Sequence, residues 1–553
     1  MGVTRVFLKG FTPYKEEDAE KYRRLGWWAG LTFGDILDKA ADLYPDKEAL
    51  VDSKSRLTYS RLREKANRIA IGLMKLGIEP QDRILLQLPN WNEFVYSYFG
   101  LQKIGAIPVL LIERYRQYEI NYLCELTNPK VWLVPEKHGK TDYIPIIDDV
   151  LKRNSNLKHV VLARGRRHKR FHGLESLIES AELTEDNLLN LANRRPDPMR
   201  VAHMGPTGGT TGLPKVVVRT HNDYLCRVEY ASRAWELGYD DVLLLVAPVG
   251  HDLAFSIGLC STIFTFGKVV MLDSTDPEDI CRAIQEEHVT AIPWTPALAH
   301  RLVNFRGLKD YDLSSLRKMY CGGGASPIEL VRDVREKLGC IYINAYGGTE
   351  GMNAQTRLND SIDTVHRTVG RPTCPYDTYK IVDDHGNELP PNIPGELVIK
   401  GPGVFTGYFN NPEENEKVFT KDGFFRTGDL AMFNDSGNII MTGRIREIIK
   451  RGGESISTVE IENLIITHPD VAAVAVVGMP DPELGERACA YIQPKPGASL
   501  SFEKIIDYMK SKNASVLQLP ERVEFIDVLP LTTSNKIDKR ALEKDIRKKL
   551  GMS

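Results

Sequence analysis

The chain has 553 residues, of which 42% are hydrophobic, 26% charged and 8% aromatic. That length exceeds what one hydrophobic core sustains, so two or more domains are expected. Lys plus Arg (72) nearly balance Asp plus Glu (74), which removes any overall field that would draw the protein to nucleic acid or an anionic membrane.

The first twenty or so residues carry charges but no apolar stretch followed by a small-residue cleavage site, so no secretory signal is read. From about 30 to 440, short apolar runs alternate with longer amphipathic ones. The runs 83–88, 131–134, 160–162, 242–246, 268–272 and 289–293 predict strands, and 59–76, 92–104, 277–287 and 327–338 predict helices. Such alternation predicts an α/β fold with layered, largely parallel sheets. The longest apolar stretch, 257–272, is interrupted by Ser261, Thr262, Thr265, Gly267 and Lys268 and is too short to span a bilayer, so it reads as buried core. Between 386 and 433 the texture turns to short strands and Gly, Pro and Asn turns, a β-rich subdomain of about 380–443. Beyond it, helices at 459–468 and 502–512 and strands at 471–479, 488–494 and 523–528 make a small α+β unit. The expected organisation is an N-terminal domain over 1–443, a hinge at 444–446 and a mobile C-terminal domain over 447–553. The basic tail (Lys536, Lys539, Arg540, Lys544, Arg547, Lys548 and Lys549) reads as a solvated helix face. The eight cysteines form no CxxC pair, which argues against a zinc site or a disulfide framework and for reduced thiols in the cytoplasm.

The strongest local signal is the segment 207–215. Thr207, Gly208, Gly209, Thr210 and Thr211 offer backbone N–H groups and short donors suited to a polyphosphate, and Lys215 adds a point charge. A Walker loop would need Gly-Lys-Ser/Thr opening a helix, whereas Lys215 follows Pro214 and precedes the strand-like Val216-Val217-Val218. Four further motifs follow: Tyr346-Gly347-Gly348-Thr349-Glu350-Gly351; Arg426-Thr427-Gly428-Asp429; Gly443-Arg444 with Arg451-Gly452-Gly453-Glu454; and Ser534-Asn535-Lys536. In this order they resemble the adenylate-forming superfamily of acyl-CoA synthetases, peptide-synthetase adenylation domains and luciferases. Over nearly the whole length the chain is most similar to stand-alone aryl-acid AMP ligases of the 2,3-dihydroxybenzoate type. That likeness is carried also by 21–23, 28–30, Gln87-Leu88-Pro89-Asn90, Arg219-Thr220-His221-Asn222-Asp223-Tyr224 and 520–525.

The resemblance implies an ATP-dependent ligase that joins a carboxylic acid to AMP and then passes the acyl group to a thiol. In-line attack of a carboxylate on a polyanionic triphosphate needs positioning and charge neutralisation above all. By resemblance, the 207–215 loop holds the β- and γ-phosphates, Thr349 contacts the α-phosphate, and Glu350 holds Mg²⁺. Gly322, Gly323, Gly324 and Ala325, with Tyr346 and Gly347, form the adenine slot. Asp429 binds the ribose hydroxyls with Arg444 beside it. Lys536 bridges the attacking carboxylate and the α-phosphate. Rotation about the hinge, where Arg446 stands in place of the usual Asp or Lys, then withdraws Lys536 and brings Arg451, Gly452 and Gly453 to a thiol channel.

For the acid pocket, His251 matches the family residue between carboxylate and thiol. Asp252 stands where dihydroxybenzoate ligases carry Asn. Ile257, beside Ser256, replaces their Ser, Ala345 replaces Val, and Asn353 departs as well. These changes argue against 2,3-dihydroxybenzoate itself. Asp252 either accepts hydrogen bonds from an amino or hydroxyl group of the acid, or pairs with His251 or another cation and never meets it. Trp294 and Tyr320 are expected as pocket walls, and an aryl or related cyclic acid of moderate size fits best, with medium-chain acids an alternative. No carrier motif is read: Ser176 in Gly173-Leu174-Glu175-Ser176 reads as a helix start. The acceptor is then coenzyme A, slightly favoured, or a separate phosphopantetheinyl carrier protein. No nucleic acid or membrane partner is expected, and a homodimer is left open.

Overall fold

The computed structural model describes residues 7–552 other than 167, 208–213, 325, 452–453, 513 and 533–536, with backbone alone at 446 and 455. Two compact units divide the chain. The first takes the described residues of Met1–Val365, Pro372–Thr378 and Lys400–Phe419; the second takes those of His366–Arg371, Tyr379–Ile399 and Thr420–Ser553. The β-rich segment groups with the C-terminal residues in the second unit. Within it, the Ser457 hydroxyl donates to the Thr442 carbonyl at 2.6 Å.

The first unit layers helices and sheets. A seven-stranded sheet runs in the order Val216–Thr220, Val201–Pro206, Ile107–Leu110, Arg83–Leu86, Val131–Pro135, His159–Ala163 and His172–Gly173. Only its first pair is antiparallel. A second sheet runs from Asn353–Gln355 through Ile341–Gly347, Lys318–Gly322, Ala291–Trp294, Val242–Leu245, Lys268–Met271 and Glu48–Val51 to Arg56–Thr58. Its centre is parallel, because helical crossovers return each strand to the same end.

One core joins the facing sides of the two sheets, with Leu86 and Leu133 from one and Leu243, Leu245 and Tyr320 from the other. Between them the helix Asn92–Lys103 is buried all round, every one of its residues being buried. Gly100 lets that helix cross Tyr59–Lys75: a Cβ there would stand 2.3 Å from Ile69 Cγ2. The outer faces are covered by Gln117–Thr127 and Ile144–Arg153 on the first sheet, and by Pro277–Glu287, Pro296–Val303 and Ile328–Leu338 on the second. The expected α/β layering is what the chain adopts. The apolar stretch 257–272 is buried as expected, though it is built as a π-helix (Leu253–Cys260), a short helix (Ser261–Phe264) and a strand (Lys268–Met271). No described helix is long and apolar enough to cross a membrane. Ser176 lies on the short helix Leu174–Glu179, as read from the sequence.

In the second unit, one sheet orders Thr378–Val382, Gly395–Lys400, Phe425–Phe433 and Ile439–Arg444. A turn at Ile445–Glu447 leads to a five-stranded sheet. Helices Thr458–Ile465 and Phe502–Ser511 cover one of its faces and Lys539–Lys549 the other. Lys539 departs from the expected solvated face. Its side chain is only 20% exposed, and its Nζ reaches Glu447 at 2.7 Å and Glu462 at 2.8 Å. Desolvation pulls the Lys539 pKa down, but Glu462 and Glu447 outweigh it and hold the ammonium above its ordinary value.

Candidate active site

The phosphate-loop candidate closes the hairpin between Val201–Pro206 and Val216–Thr220. Gly205 pairs with Val217 and Pro206 with Val216, and the Thr207 N–H donates to the Lys215 carbonyl at 2.8 Å. Gly208, Gly209, Thr210 and Thr211 lie outside the described residues. Lys215 forms an ion pair with Glu414, and its Nζ lies 4.8 Å from the centre of the Tyr408 ring. The Tyr408 hydroxyl in turn donates to Glu350 Oε1 at 2.9 Å. The mouth of the loop and the acidic motif are therefore joined through one tyrosine.

The acidic motif is the turn between two antiparallel strands, with Gly347 opposite Asn353. Gly348 N–H donates to the Met352 carbonyl at 3.1 Å, and Gly351 N–H to the Gly348 carbonyl at 3.0 Å. Gly351 has φ +118, and a Cβ there would stand 2.4 Å from the Gly403 carbonyl oxygen, so only glycine fits. Thr349 packs under the phosphate hairpin: a Cβ on Gly205 would lie 3.2 Å from its methyl. Arg219, fully buried, fixes this turn. Its Nε donates to Asp223 Oδ1 at 2.6 Å, Nη1 to the Thr349 carbonyl at 2.7 Å and Nη2 to the Gly403 carbonyl at 2.6 Å. Beneath the same loop, Asp377 accepts from the Gly403 N–H at 2.9 Å. Burial pushes its pKa up to about 7, against the opposing pull of that N–H and of Arg219 and Arg227.

Gly322 ends its strand opposite Ala345. A Cβ on Gly322 would lie 3.4 Å from the Ala345 carbonyl oxygen and 3.6 Å from the Tyr320 ring. Gly323 takes φ +83; Ala325 lies outside the described residues. Tyr346 sits one residue before Gly347 on the neighbouring strand end.

His251 and Asp252 open the π-helix. The Leu253 N–H donates to His251 Nδ1 at 3.3 Å, which leaves the proton of a neutral ring on Nε2. Gly250 is pressed onto the first sheet, since a Cβ would stand 2.2 Å from the Leu111 carbonyl oxygen. Asp252 is half-buried and already partnered: Oδ1 accepts from the Tyr224 hydroxyl at 2.7 Å and from Arg227 Nη1 at 3.2 Å, and Oδ2 accepts from Arg227 Nη2 at 2.8 Å. Burial alone would raise its pKa, but Arg227 and Tyr224 outweigh burial and hold the carboxyl below the ordinary value. Asp252 is thus paired with a cation, Arg227.

Tyr320 donates to Asn353 Oδ1 at 3.3 Å, and Tyr320, Ala345 and Ile257 all belong to the core between the sheets. Ser256 is fully buried, and its hydroxyl has no hydrogen-bond partner among the described residues. Trp294 does not join them. It pairs with Cys321, not Tyr320, across the parallel ladder, and alternation along the strand sends it to the outer core with Val246 and Ile280. The expectation that Trp294 and Tyr320 wall one pocket is corrected accordingly. Sequence reasoning passed over Arg227. The signal was there: the helix His221–Ala234 buries Tyr224, Val228 and Ala231, and an arginine on such a stripe demands a buried partner.

In the second unit, Asp429 and Arg444 face each other on adjacent strands. Arg444 Nε lies 2.8 Å from Asp429 Oδ1, with the carboxylate side chain 5% and the arginine 49% exposed. The Asp429 N–H donates to the Thr427 hydroxyl at 3.1 Å, so the side chain stands on a fixed turn. Arg451 pairs with Glu521 at 2.8 Å. Gly452, Gly453 and Lys536 lie outside the described residues, as does the side chain of Arg446. Among the described residues, no cluster of three or more His, Cys, Asp or Glu could cage a metal.

A strand-ended parallel sheet, a hydroxyl-glycine hairpin and an acidic glycine turn meeting at Thr349 are the features of an adenylate-forming enzyme. The model of the AMP-binding enzyme family matches residues 37–409, and that of the AMP-binding enzyme C-terminal domain matches 460–536. The chain belongs to this family and is an ATP-dependent, adenylate-forming ligase. It is 35% identical to a 2,3-dihydroxybenzoate-AMP ligase of Bacillus subtilis, over 98% of this chain and 99% of the relative. It is 34% identical to a 2-hydroxy-7-methoxy-5-methyl-1-naphthoate–CoA ligase of Streptomyces carzinostaticus, over 96% of each. Among solved structures, apo MbtA of Mycobacterium smegmatis superposes with a TM-score of 0.73 at 32% identity, covering 97% of this chain and 98% of that one.

Proposed function

We propose that the protein adenylates an aryl or related cyclic carboxylic acid and transfers the acyl group to a thiol, with coenzyme A favoured over a carrier protein. One observation carries the catalytic half: the Thr349–Glu350 turn is held by Arg219 directly under the hairpin that begins at Thr207. An acid oxygen attacks the α-phosphorus, pyrophosphate leaves, and the acyl-AMP forms. A thiol sulfur then attacks the acyl carbonyl carbon, AMP leaves, and the thiol proton is released. In this reading the hairpin takes the β- and γ-phosphates, Thr349 the α-phosphate, and Asp429 with Arg444 the ribose. Lys536 neutralises charge as the carboxylate meets the phosphate. His251 stands at the gate between acid and thiol, and Arg451 belongs to the thiol channel.

Mg²⁺ is held in such sites through one or two carboxylates together with phosphates and water. Glu350 suits that donor set: it is an oxygen ligand, and the Tyr408 hydroxyl orients its Oε1. When bound, the ion would shield the phosphate charges. Support for a cyclic acid comes from the relatives, whose names give a dihydroxybenzoate and a naphthoate. Coenzyme A is favoured because the pocket departs from the dihydroxybenzoate pattern at Asp252, Ile257, Ala345 and Asn353.

The test is ATP–pyrophosphate exchange against a panel of aryl, aminoaryl, alicyclic and medium-chain acids, followed by thioester detection with CoA. Exchange with a cyclic acid and a CoA thioester is expected. Exchange confined to medium-chain acids would overturn the acid class, and exchange without a CoA thioester would point to a carrier protein.

A further inference from the structure

Arg227 is a deeply buried cation, with its side chain only 3% exposed. It lies on the helix His221–Ala234 and reaches the end of the strand Ile341–Gly347. A Cβ on Gly347 would stand 3.9 Å from its Nη2, so only bare backbone separates the guanidinium from the strand end that carries Ala345 and Tyr346. A guanidinium has five N–H donors. The structure gives two of them to Asp252, one from each Nη, and the buried Nε has no hydrogen-bond partner among the described residues. Asp252 is in the opposite position: its Oδ1 already receives both Tyr224 and Arg227, and its Oδ2 receives Arg227. The pair is thus neutral overall, short of acceptors and rich in donors. Ser256, whose buried hydroxyl is also without a partner among the described residues, follows on the π-helix that Asp252 caps.

We propose that Arg227, clamped by Asp252, is the residue that selects the acid, by donating to a neutral oxygen acceptor on the substrate remote from its carboxylate. This inference rests on the acid-adenylating reading above and goes beyond it in two ways. It moves recognition from Asp252, which the sequence singled out, to the arginine that Asp252 holds. It also fixes the polarity of the recognised group. An ether, carbonyl or hydroxyl oxygen satisfies a donor that is otherwise buried and unpaired. An amino group arrives with donors against donors, and a second carboxylate arrives at a pair whose positive charge is already cancelled. A methoxy or oxo group, which can only accept, is the cleanest probe of the claim.

Exchange rates should be compared for benzoate, the methoxybenzoates, the aminobenzoates, cyclohexanecarboxylate and the oxocyclohexanecarboxylates. A buried hydrogen bond to a charged group corresponds to roughly 10- to 100-fold in kcat/KM, so the best methoxy or oxo acid should exceed its unsubstituted parent by about that factor. Arg227→Met alone leaves Asp252 charged and unpaired and is liable to misfold. The informative variant is therefore Arg227→Met with Asp252→Asn, which removes both charges and keeps an acceptor for Tyr224. In it the methoxy-to-parent ratio should fall towards one while the KM for ATP changes little. A purely structural role would lower every acid alike and leave the ratio intact. An unchanged ratio in the double variant, or aminobenzoates preferred by the wild-type protein, overturns the selection by Arg227 while leaving the ligase reading standing. Absence of exchange with every cyclic acid overturns both.

Discussion

Arg219 donates from Nη1 to the carbonyl oxygen of Thr349 across 2.7 Å, joining two motifs separated by 130 positions in the chain. The same guanidinium supplies Nε to Asp223 and Nη2 to the Gly403 carbonyl. A planar fork with donors in three directions suits this junction, and a lysine ammonium on a flexible stem does not.

Arg219→Lys should therefore fold, because the charge opposite Asp223 is kept, yet lose at least one carbonyl contact. An unsatisfied buried carbonyl costs about 1–3 kcal/mol. A loss of that order in urea unfolding is expected, with pyrophosphate exchange reduced more than nucleotide binding because the Thr349–Glu350 turn is no longer pinned. Arg219→Met should be worse by the cost of an unpaired buried carboxylate, roughly 3–5 kcal/mol. Equal stability of wild type and Arg219→Lys would remove the arginine from the role given to it.

Glu350 and Tyr408 supply a second test, through magnesium. If Tyr408 orients Glu350 for the ion, Tyr408→Phe should raise the Mg²⁺ concentration for half-maximal exchange by several-fold, within the 10- to 100-fold typical of losing a group that orients a metal ligand. Glu350→Gln should raise it further and lower kcat. The measurement is a Mg²⁺ titration of exchange at saturating ATP and acid. A Tyr408→Phe curve that overlays the wild type would mean the hydrogen bond at 2.9 Å serves packing only.

Lys536→Ala should depress adenylation by about 100-fold or more, the scale for losing one group that meets developing charge. Calorimetric ATP binding should survive, since the phosphates are assigned to the 207–215 hairpin. Wild-type exchange in this variant would refute the role proposed for the lysine.

The layered α/β fold was legible because buried parallel strands and their crossover helices carry strong, regular apolar patterns, as at 83–88 and 59–76. The motif 346–351 that holds Thr349 and Glu350 was legible because it carries the family resemblance. Three features were not, and each depends on distant partners. Trp294 and Tyr320 lie on adjacent strands, and only the register, Trp294 against Cys321, shows that they point to opposite faces. The tail lysines look alike in sequence, but among the described ones Lys539 is held by Glu447 and Glu462. Arg227 reads as an ordinary helix cation until Asp252, 25 positions on, arrives beside it.

Asp377 sets a pH dependence whose sign follows from its burial. Its pKa rises from the ordinary 3.8 to about 7, so the folded protein holds a proton there that the unfolded chain has released. Between those two values the native state binds more protons than the unfolded state, and stability falls as pH rises. The loss begins near the ordinary aspartate value, is complete near pH 7, and amounts to a few kcal/mol. Asp377→Asn keeps an oxygen for the Gly403 N–H, which now approaches at 2.9 Å, and has nothing to ionise. Urea unfolding of wild type should give lower stability at pH 8 than at pH 5.5, after allowance for other groups by comparison with the variant, in which that drop should shrink. A drop of the same size in both proteins would show that the carboxyl is already ionised across this range, with Arg219 and Arg227 outweighing its burial.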